Sequence, residues 1–333
     1  MTLPAFRVLR PRTVEDAVHM LDQHGADAMV IAGGTDVIPN LQMRLFTPRA
    51  LVDVKPLREL AGVEFSARQG LRIGATATLT HVLEMSWLRE KFPVLASAIA
   101  TVAGPLQRNM GTIGGNLCLE TRCRWYNQSH FWRQSLGGCL KKDGDICHVA
   151  PRGKFCWAAW SGDSAPAFLT LDAELEIAGP SGTRRVPLRE FYKNDGMDRI
   201  ALARNEMLTA VHVPAHMAGR RGVYQKLRVR DSIDYPLAGV AVAMDVDSAG
   251  ICKDARVALS AVNPAPVLVN QASESLVGQK WSLELAERVA HVAIQTGKPL
   301  TTSGSTPVYR RDMVRVFTRR ALEETWKNGH SNA

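Results

Sequence analysis

Residues 28–37 read Ala28-Met29-Val30-Ile31-Ala32-Gly33-Gly34-Thr35-Asp36-Val37, a short apolar run that empties into two glycines, a hydroxyl and a carboxylate. An apolar run of this length bounded by glycines fits a buried strand, and Val37, Leu41 and Leu45 then return at helical spacing. A strand that turns through glycines leaves successive backbone amides free of side-chain bulk, the arrangement that cradles a diphosphate. Upstream, Val14, Ala17, Val18 and Leu21 keep helical spacing behind Thr13, which makes a capping box with Asp16. The opening therefore reads helix, strand, glycine loop, helix.

Downstream, Leu51–Val54 and Leu71–Gly74 read as strands and Pro93–Ala103, rich in small residues, as a buried helix. Gly104 and then Gly111-Thr112-Ile113-Gly114-Gly115-Asn116 repeat the glycine chemistry about 80 residues after the first loop, so that two loops are able to close on one dinucleotide. Neither is Gly-x-Gly-x-x-Gly or a Gly-Lys-Ser/Thr phosphate loop, which argues against a Rossmann site and an ATPase; ordinary tight turns stand as the lesser alternative for both. Further on, a helix is expected from Ala165 to Leu171, a strand from Glu174 to Ile177 and a turn at Gly179–Gly182. Strands at Val223–Val229, Ala238–Val246 and Ala255–Val262, then helices at Leu283–Ile294 and Asp312–Trp326, mark a second unit. The expected class is α+β, with domains at 1–220 and 221–330.

With 333 residues, 46% hydrophobic and 22% charged, the chain has the composition of a folded protein of about two domains. No apolar stretch approaches the roughly 20 residues of a spanning helix, and Met1–Arg10 lacks the apolar core of a secretory signal, so a cytoplasmic location without membrane contact is expected. The charge of +9 comes from 41 basic and 32 acidic residues, with basic residues at most in pairs such as Arg184-Arg185 and Arg319-Arg320. Lacking a basic arm or a nucleic-acid motif, this fits a solvated face or a docking face for acidic partners, not nucleic acid. No Gly-x-Ser-x-Gly or His-Glu-x-x-His occurs, and His81, His130 and His148 show no metal spacing. Asn127-Gln128-Ser129 is a formal glycosylation sequon without a secretory context.

From Cys118 to Trp160 the periodicity vanishes, yet this window holds five of the six cysteines and four of the seven tryptophans. A structureless segment of about 40 residues is uncommon in a compact domain, and a bound centre is the simplest way to give it shape. Cys123, Cys139, Cys147 and Cys156 follow one another at 16, 8 and 9 residues, with no Cys-x-x-Cys pair. Buried inert thiols are the usual fate of cysteine, but these gather in one hydrophilic segment. Four thiolates suit zinc or a four-iron four-sulfur cluster, and the spacing does not choose between them. Cys118 and Cys252 read as spares. Cys123 lies eight residues after Gly115, which keeps it within about 30 Å of the second glycine loop even in an extended chain.

Taken together, these motifs resemble the flavin-binding medium subunits of the xanthine oxidase family of molybdenum enzymes, over nearly the whole chain. The resemblance implies a flavin domain of the PCMH/VAO type followed by a CO-dehydrogenase-flavoprotein-like α+β domain. It further implies that FAD is bound by Ile31, Ala32, Gly33, Gly34, Thr35, Asp36 and Val37, by Val102, and by Gly111, Thr112, Ile113, Gly114, Gly115 and Asn116. Arg124, Asp163 in Gly162–Pro166 and Lys226 in Tyr224–Arg228 complete the implied flavin contacts. Most members lack the cysteine insertion. Residues 116–123, Tyr126–Ser129, Gly138–Lys141 and Cys147–Val149 are similar to the β subunits of 4-hydroxybenzoyl-CoA reductases, where the insertion carries an extra 4Fe-4S cluster. On that likeness Cys123, Cys139, Cys147 and Cys156 become iron ligands and the chain a redox relay. It would take electrons from a low-potential ferredoxin and pass them through a 2Fe-2S small subunit to a molybdopterin-binding large subunit that reduces an aryl-CoA, in a hetero-hexamer, a dimer of heterotrimers. Two rivals stand beside it: a hydroxylating family member whose insertion holds zinc or nothing, and a zinc-stabilised nucleic-acid or assembly module.

Overall fold

The computed structural model describes residues 2–327; Met1 and residues 328–330 of the expected second domain lie outside the described residues. Three sheets organise the chain. β1 (Arg7–Leu9), β2 (Ala28–Ile31) and β3 (Ala50–Asp53) form a parallel sheet in the order β1-β3-β2. Thr13 caps the helix Val14–His24 by accepting from the Asp16 amide at 3.1 Å, while the Asp16 carboxylate reaches back to the Arg12 amide, one residue beyond the expected partner. This helix buries Ala17, Val18 and Leu21 against Val52 and Val54.

β4 (Val63–Ser66), β5 (Gly70–Gly74), β6 (Glu174–Gly179), β7 (Gly182–Pro187) and β8 (Met207–Val213) form an antiparallel sheet in the order β4-β5-β8-β6-β7. The Gly179–Gly182 turn closes the β6–β7 hairpin as its composition predicts. The helices Pro93–Ala100 and Ser164–Thr170 share the core of this sheet, and every residue of the second is buried.

β9 (Arg221–Leu227), β10 (Ala238–Val246), β11 (Cys252–Ser260) and β12 (Val267–Leu268) make the third sheet, antiparallel in the order β12-β11-β10-β9. β10 shows why a nearly continuous apolar run becomes a strand here. Val240, Val242 and Met244 point to a core shared with the helices Leu283–Thr296 and Pro307–Lys327, while Ala241 and Ala243 point to the core that contains Phe168. Both faces are covered, so both are apolar, and the small alanines face the buried helix Ser164–Thr170. The last helix starts at Pro307, ahead of the expected Asp312, because Thr306 accepts from the Tyr309 amide at 3.2 Å and proline at the first position needs no donor. No helix among the described residues is long and apolar enough to cross a membrane.

Candidate functional site

The first glycine loop leaves the C-terminal end of β2, the end of a parallel sheet at which crevices for ligands form. Gly33 lies directly against the second loop: a Cβ there would stand 2.1 Å from the Met110 carbonyl oxygen, which also accepts from Lys55 Nζ at 2.8 Å. The amides of Gly34, Thr35 and Asp36 find no acceptor among the described residues.

The second loop differs from its sequence expectation. The amides of Ile113 and Gly114 donate to Ala77 and Ala75 carbonyls at 3.0 and 2.9 Å, Gly115 donates to Thr112 Oγ1 at 3.1 Å, and Asn116 to the Thr112 carbonyl. They are not bare. A Cβ on Gly114 would meet Ala75 at 2.8 Å, so this glycine serves close packing of the loop on the chain that follows β5.

Between the loops opens a cleft of about 830 Å³, within the range of sites that enclose a cofactor-sized molecule. Of the sequence-derived flavin residues, Ala32 to Val37, Val102, Gly111, Thr112, Gly114, Gly115, Asn116 and Asp163 line it. Ile31 and Ile113 stand behind the lining, and Lys226 reaches it only through Asp163. Arg124 is not brought there: its side chain is exposed beside the Trp125 ring in the cysteine segment. Arg122, two residues earlier, is the one that turns inward, pairing with Asp36 at 2.5 Å and lying over the Tyr235 ring at 4.1 Å. Sequence reading missed Arg122, Tyr235, Glu120 and Arg199, whose partners are remote along the chain.

Asp163 and Lys226 form an ion pair at 2.8 Å with side chains 5% and 2% exposed. Lys226 also donates to the Thr101 carbonyl at 3.0 Å, and the Tyr224 hydroxyl donates to Asp163 at 2.7 Å. Burial pushes the Asp163 carboxyl above its ordinary range, with Lys226 and Tyr224 pulling the other way. Asn116 accepts from the Ser164 hydroxyl at 2.5 Å and so fixes the second loop to the same corner.

The cysteine segment is closed at its base, where Arg122 and Ala159 exchange backbone hydrogen bonds at 2.7 Å in both directions. Inside it, Ser129 caps a short helix, His130–Ser135, in a stretch read from sequence as aperiodic. That helix carries Arg133, buried, whose guanidinium donates to the carbonyls of Met43, Gln128 and Arg44. Arg133 thereby clamps the segment to the chain that leaves the first glycine loop. Leu45 packs with Cys123, Tyr126, Cys139 and Cys156.

Cys123, Cys139, Cys147 and Cys156 line one small cavity with Trp125 and Lys141. Cys118 lines the flavin-type cleft instead, and Cys252 is buried in the third sheet. Burial pushes the Cys123 and Cys156 thiols up to about 11, opposed by backbone amides, of Trp125 at Cys123 and of Ala158 at Cys156. Trp125 lines this cavity, and its indole N–H is buried and without a partner among the described residues. Among the described residues no three His, Cys, Asp or Glu side chains are placed to hold a single metal ion.

A buried ion pair stands between cleft and cavity. Glu120, which lines the cleft, pairs with Lys141, which lines the thiol cavity, and both side chains are 7% exposed. Lys141 also donates to Thr121 Oγ1 at 2.6 Å, and Arg199 approaches the same carboxylate at 3.8 Å. Burial pushes Glu120 up, but the two cations outweigh it and hold the carboxyl below its usual range.

Residues 4–216 match the family described as "FAD binding domain in molybdopterin dehydrogenase", and residues 223–325 match "CO dehydrogenase flavoprotein C-terminal domain". The chain is 27% identical over 316 residues to the xanthine dehydrogenase FAD-binding subunit of Escherichia coli O157:H7, covering 95% of this chain and 94% of the relative. It is 32% identical to the aldehyde oxidoreductase FAD-binding subunit PaoB of Escherichia coli K12, over 82% of this chain and 86% of that one. Among solved structures, a chain of carbon monoxide dehydrogenase from Hydrogenophaga pseudoflava superposes with a TM-score of 0.79 at 27% identity, covering 98% of this chain and 99% of that one.

Proposed function

The chain belongs to the FAD-binding medium subunits of the xanthine oxidase family of molybdenum enzymes, and from that premise we propose that it is the FAD- and 4Fe-4S-carrying electron-transfer subunit of a 4-hydroxybenzoyl-CoA reductase type enzyme. The observation that carries this reading is the gathering of Cys123, Cys139, Cys147 and Cys156 around one cavity in a segment closed on itself beside the cleft. In a zinc site four sulfurs crowd one ion at about 2.3 Å each, whereas in a four-iron cluster each thiolate takes a different iron and the sulfurs ring a larger core. Four thiols around one cavity suit either, and the likeness of the segment to the insertion of the 4-hydroxybenzoyl-CoA reductases favours the cluster. The Trp125 indole and the amides directed at Cys123 and Cys156 are the donors such a core needs.

For FAD, the unpaired amides of Gly34, Thr35 and Asp36 are suited to hold the diphosphate. The second loop, with Val102, Asn116 and Asp163, shapes the wall. Lys226 holds Asp163 in place, and Arg122 holds Asp36. Bound there, FAD supplies the ability to take up and release electrons singly or in pairs. The chain itself acts by binding and orientation and by excluding water, with residues 1–220 as the flavin domain and 221–330 as a second domain. As a subunit of an oxidoreductase complex it would join a molybdopterin-binding large subunit and a 2Fe-2S small subunit, as a hetero-hexamer in the cytoplasm. The donor is a ferredoxin, and the basic balance of +9 favours an acidic one.

A second reading has support in the relatives, which are named as dehydrogenase or oxidoreductase subunits: a hydroxylating enzyme in which electrons leave through the flavin. Anaerobic purification with flavin, iron and sulfide analysis separates the readings. FAD with about four irons and four sulfides per chain supports the reductase type, and FAD with zinc or no metal refutes it.

A further inference from the structure

A set of four thiolates around an iron–sulfur core is strongly anionic, and each electron added makes it more so. In a poorly solvated cavity this charge is costly unless cations stand in the wall. The wall here offers Lys141, whose ammonium is almost wholly shielded from solvent, sits 4.4 Å from the centre of the Tyr126 ring, and acts electrostatically on Cys156. Its partner carboxylate does not cancel it at the cavity. Glu120 faces the cleft and is shared with Arg199, so one carboxylate serves two cations and the group keeps a net positive charge. His148 also lines the cavity, but it is engaged with the Gly138 carbonyl at 2.7 Å and stacked on Trp125. The other basic residue beside Lys141, Lys142, turns to Asp143 at the surface, where solvent screens it.

We propose that Lys141 is the residue that sets the reduction potential of the thiol site, its buried ammonium favouring the reduced state while Glu120 and Thr121 hold it against the cavity wall. This rests on the four-iron reading. The step concerned is the gain of one electron by the site from an external low-potential reductant, and no bond forms or breaks. Charge, not shape, is what the residue contributes, so arginine should replace it and methionine should not.

The test uses the chain in its complex, purified anaerobically, with iron, sulfide and FAD measured first and the cluster then titrated potentiometrically under electron paramagnetic resonance. Lys141→Met, with iron and FAD retained, should hold the reduced state at least tenfold less well, a midpoint lower by about 59 mV or more for one electron. Lys141→Arg should stay near wild type. Glu120→Gln, which leaves the ammonium unscreened, should move the midpoint upward. An iron-replete Lys141→Met with the wild-type midpoint overturns the proposal and leaves the four-iron reading intact. Equal shifts in the Met and Arg variants overturn it too, since shape would then be the cause. If Lys141→Met loses its iron, Glu120→Gln decides: an unchanged or lowered midpoint there overturns the proposal. A wild-type complex in which this chain binds no iron removes the four-iron reading and the proposal together.

Discussion

Replacing Lys226 by methionine keeps a long apolar stem and deletes the charge that faces Asp163. In the native chain the pair is 2.8 Å apart and nearly sealed from solvent, with Tyr224 as the second donor to the carboxylate. Removing one member of a buried pair leaves the other charge uncompensated, at a cost of about 3–5 kcal/mol. For 333 residues an unfolding entropy of roughly 2.1 cal/mol/K per residue gives about 0.7 kcal/mol/K, so Tm should fall by about 4–7 °C if the chain unfolds as one unit. The loss also has a pH signature. Burial already holds the Asp163 carboxyl above its ordinary range, and without Lys226 only the Tyr224 hydroxyl and the charge of Arg228 oppose that push. A carboxyl with a raised native value is penalised when ionised, and protonation relieves it, so the deficit of the variant should shrink as pH falls through that raised value. The double variant Asp163→Asn/Lys226→Met, with no charge left to strand, should recover most of the loss. Calorimetry of the three proteins between pH 5 and 8 measures all of this. A single variant within about 1 °C of wild type, or a double variant as damaged as the single, would show that the pair is not the stabilising unit described.

Gly33→Ala places a Cβ 2.1 Å from the Met110 carbonyl, so the two loops must part; a loss of about 1–3 kcal/mol together with FAD is expected, and full flavin absorbance at unchanged Tm would refute the packing argument. Cys139→Ser should strip iron whereas Cys252→Ser, buried in the third sheet, should not, and equal losses would mean that the thiol cavity is not the metal site. Arg133→Met strands the carbonyls of Met43, Arg44 and Gln128, at about 1–3 kcal/mol for each one left unsatisfied. It should therefore destabilise the chain and loosen the cysteine segment, seen as faster proteolysis near residue 133; wild-type proteolysis would show that the clamp is dispensable.

The strands legible in the sequence were those whose environment is uniform along their length. β10 matched its expected bounds, Ala238–Val246, because both its faces are buried and the apolar run has no interruption. β8, central in its sheet, was missed because Thr209 and His212 break its run: both turn to Glu176 of β6, a pairing visible only once the strands lie side by side. β1 is three residues with two of them exposed, too short for Val8 and Leu9 to make a pattern. Its place is decided by backbone pairing to β3, which no local pattern encodes.

The site divides in the same way. Glycine loops and a cysteine-rich segment are readable because their residue types are unusual where they stand, but the ion pairs that join them are not, since Asp36 and Arg122 are 86 residues apart and Glu120 and Lys141 are 21 apart. Glycine itself was read too simply. At both loops it suggested bare amides for an anion, yet the run Gly34 to Asp36 keeps its amides without acceptors among the described residues, while those of Ile113 to Asn116 are spent on Ala77, Ala75 and Thr112. Glycine marks a place where a side chain would be in the way, and at Gly33 as at Gly114 what it would be in the way of is a neighbouring stretch of chain, Met110 in one case and Ala75 in the other. The two loops are therefore unequal partners, the first offering hydrogen-bond donors and the second a fixed wall held by Thr112, Asn116 and Ser164. An anion drawn into this cleft should follow the first loop, and damage to the second should act through shape before it acts through charge.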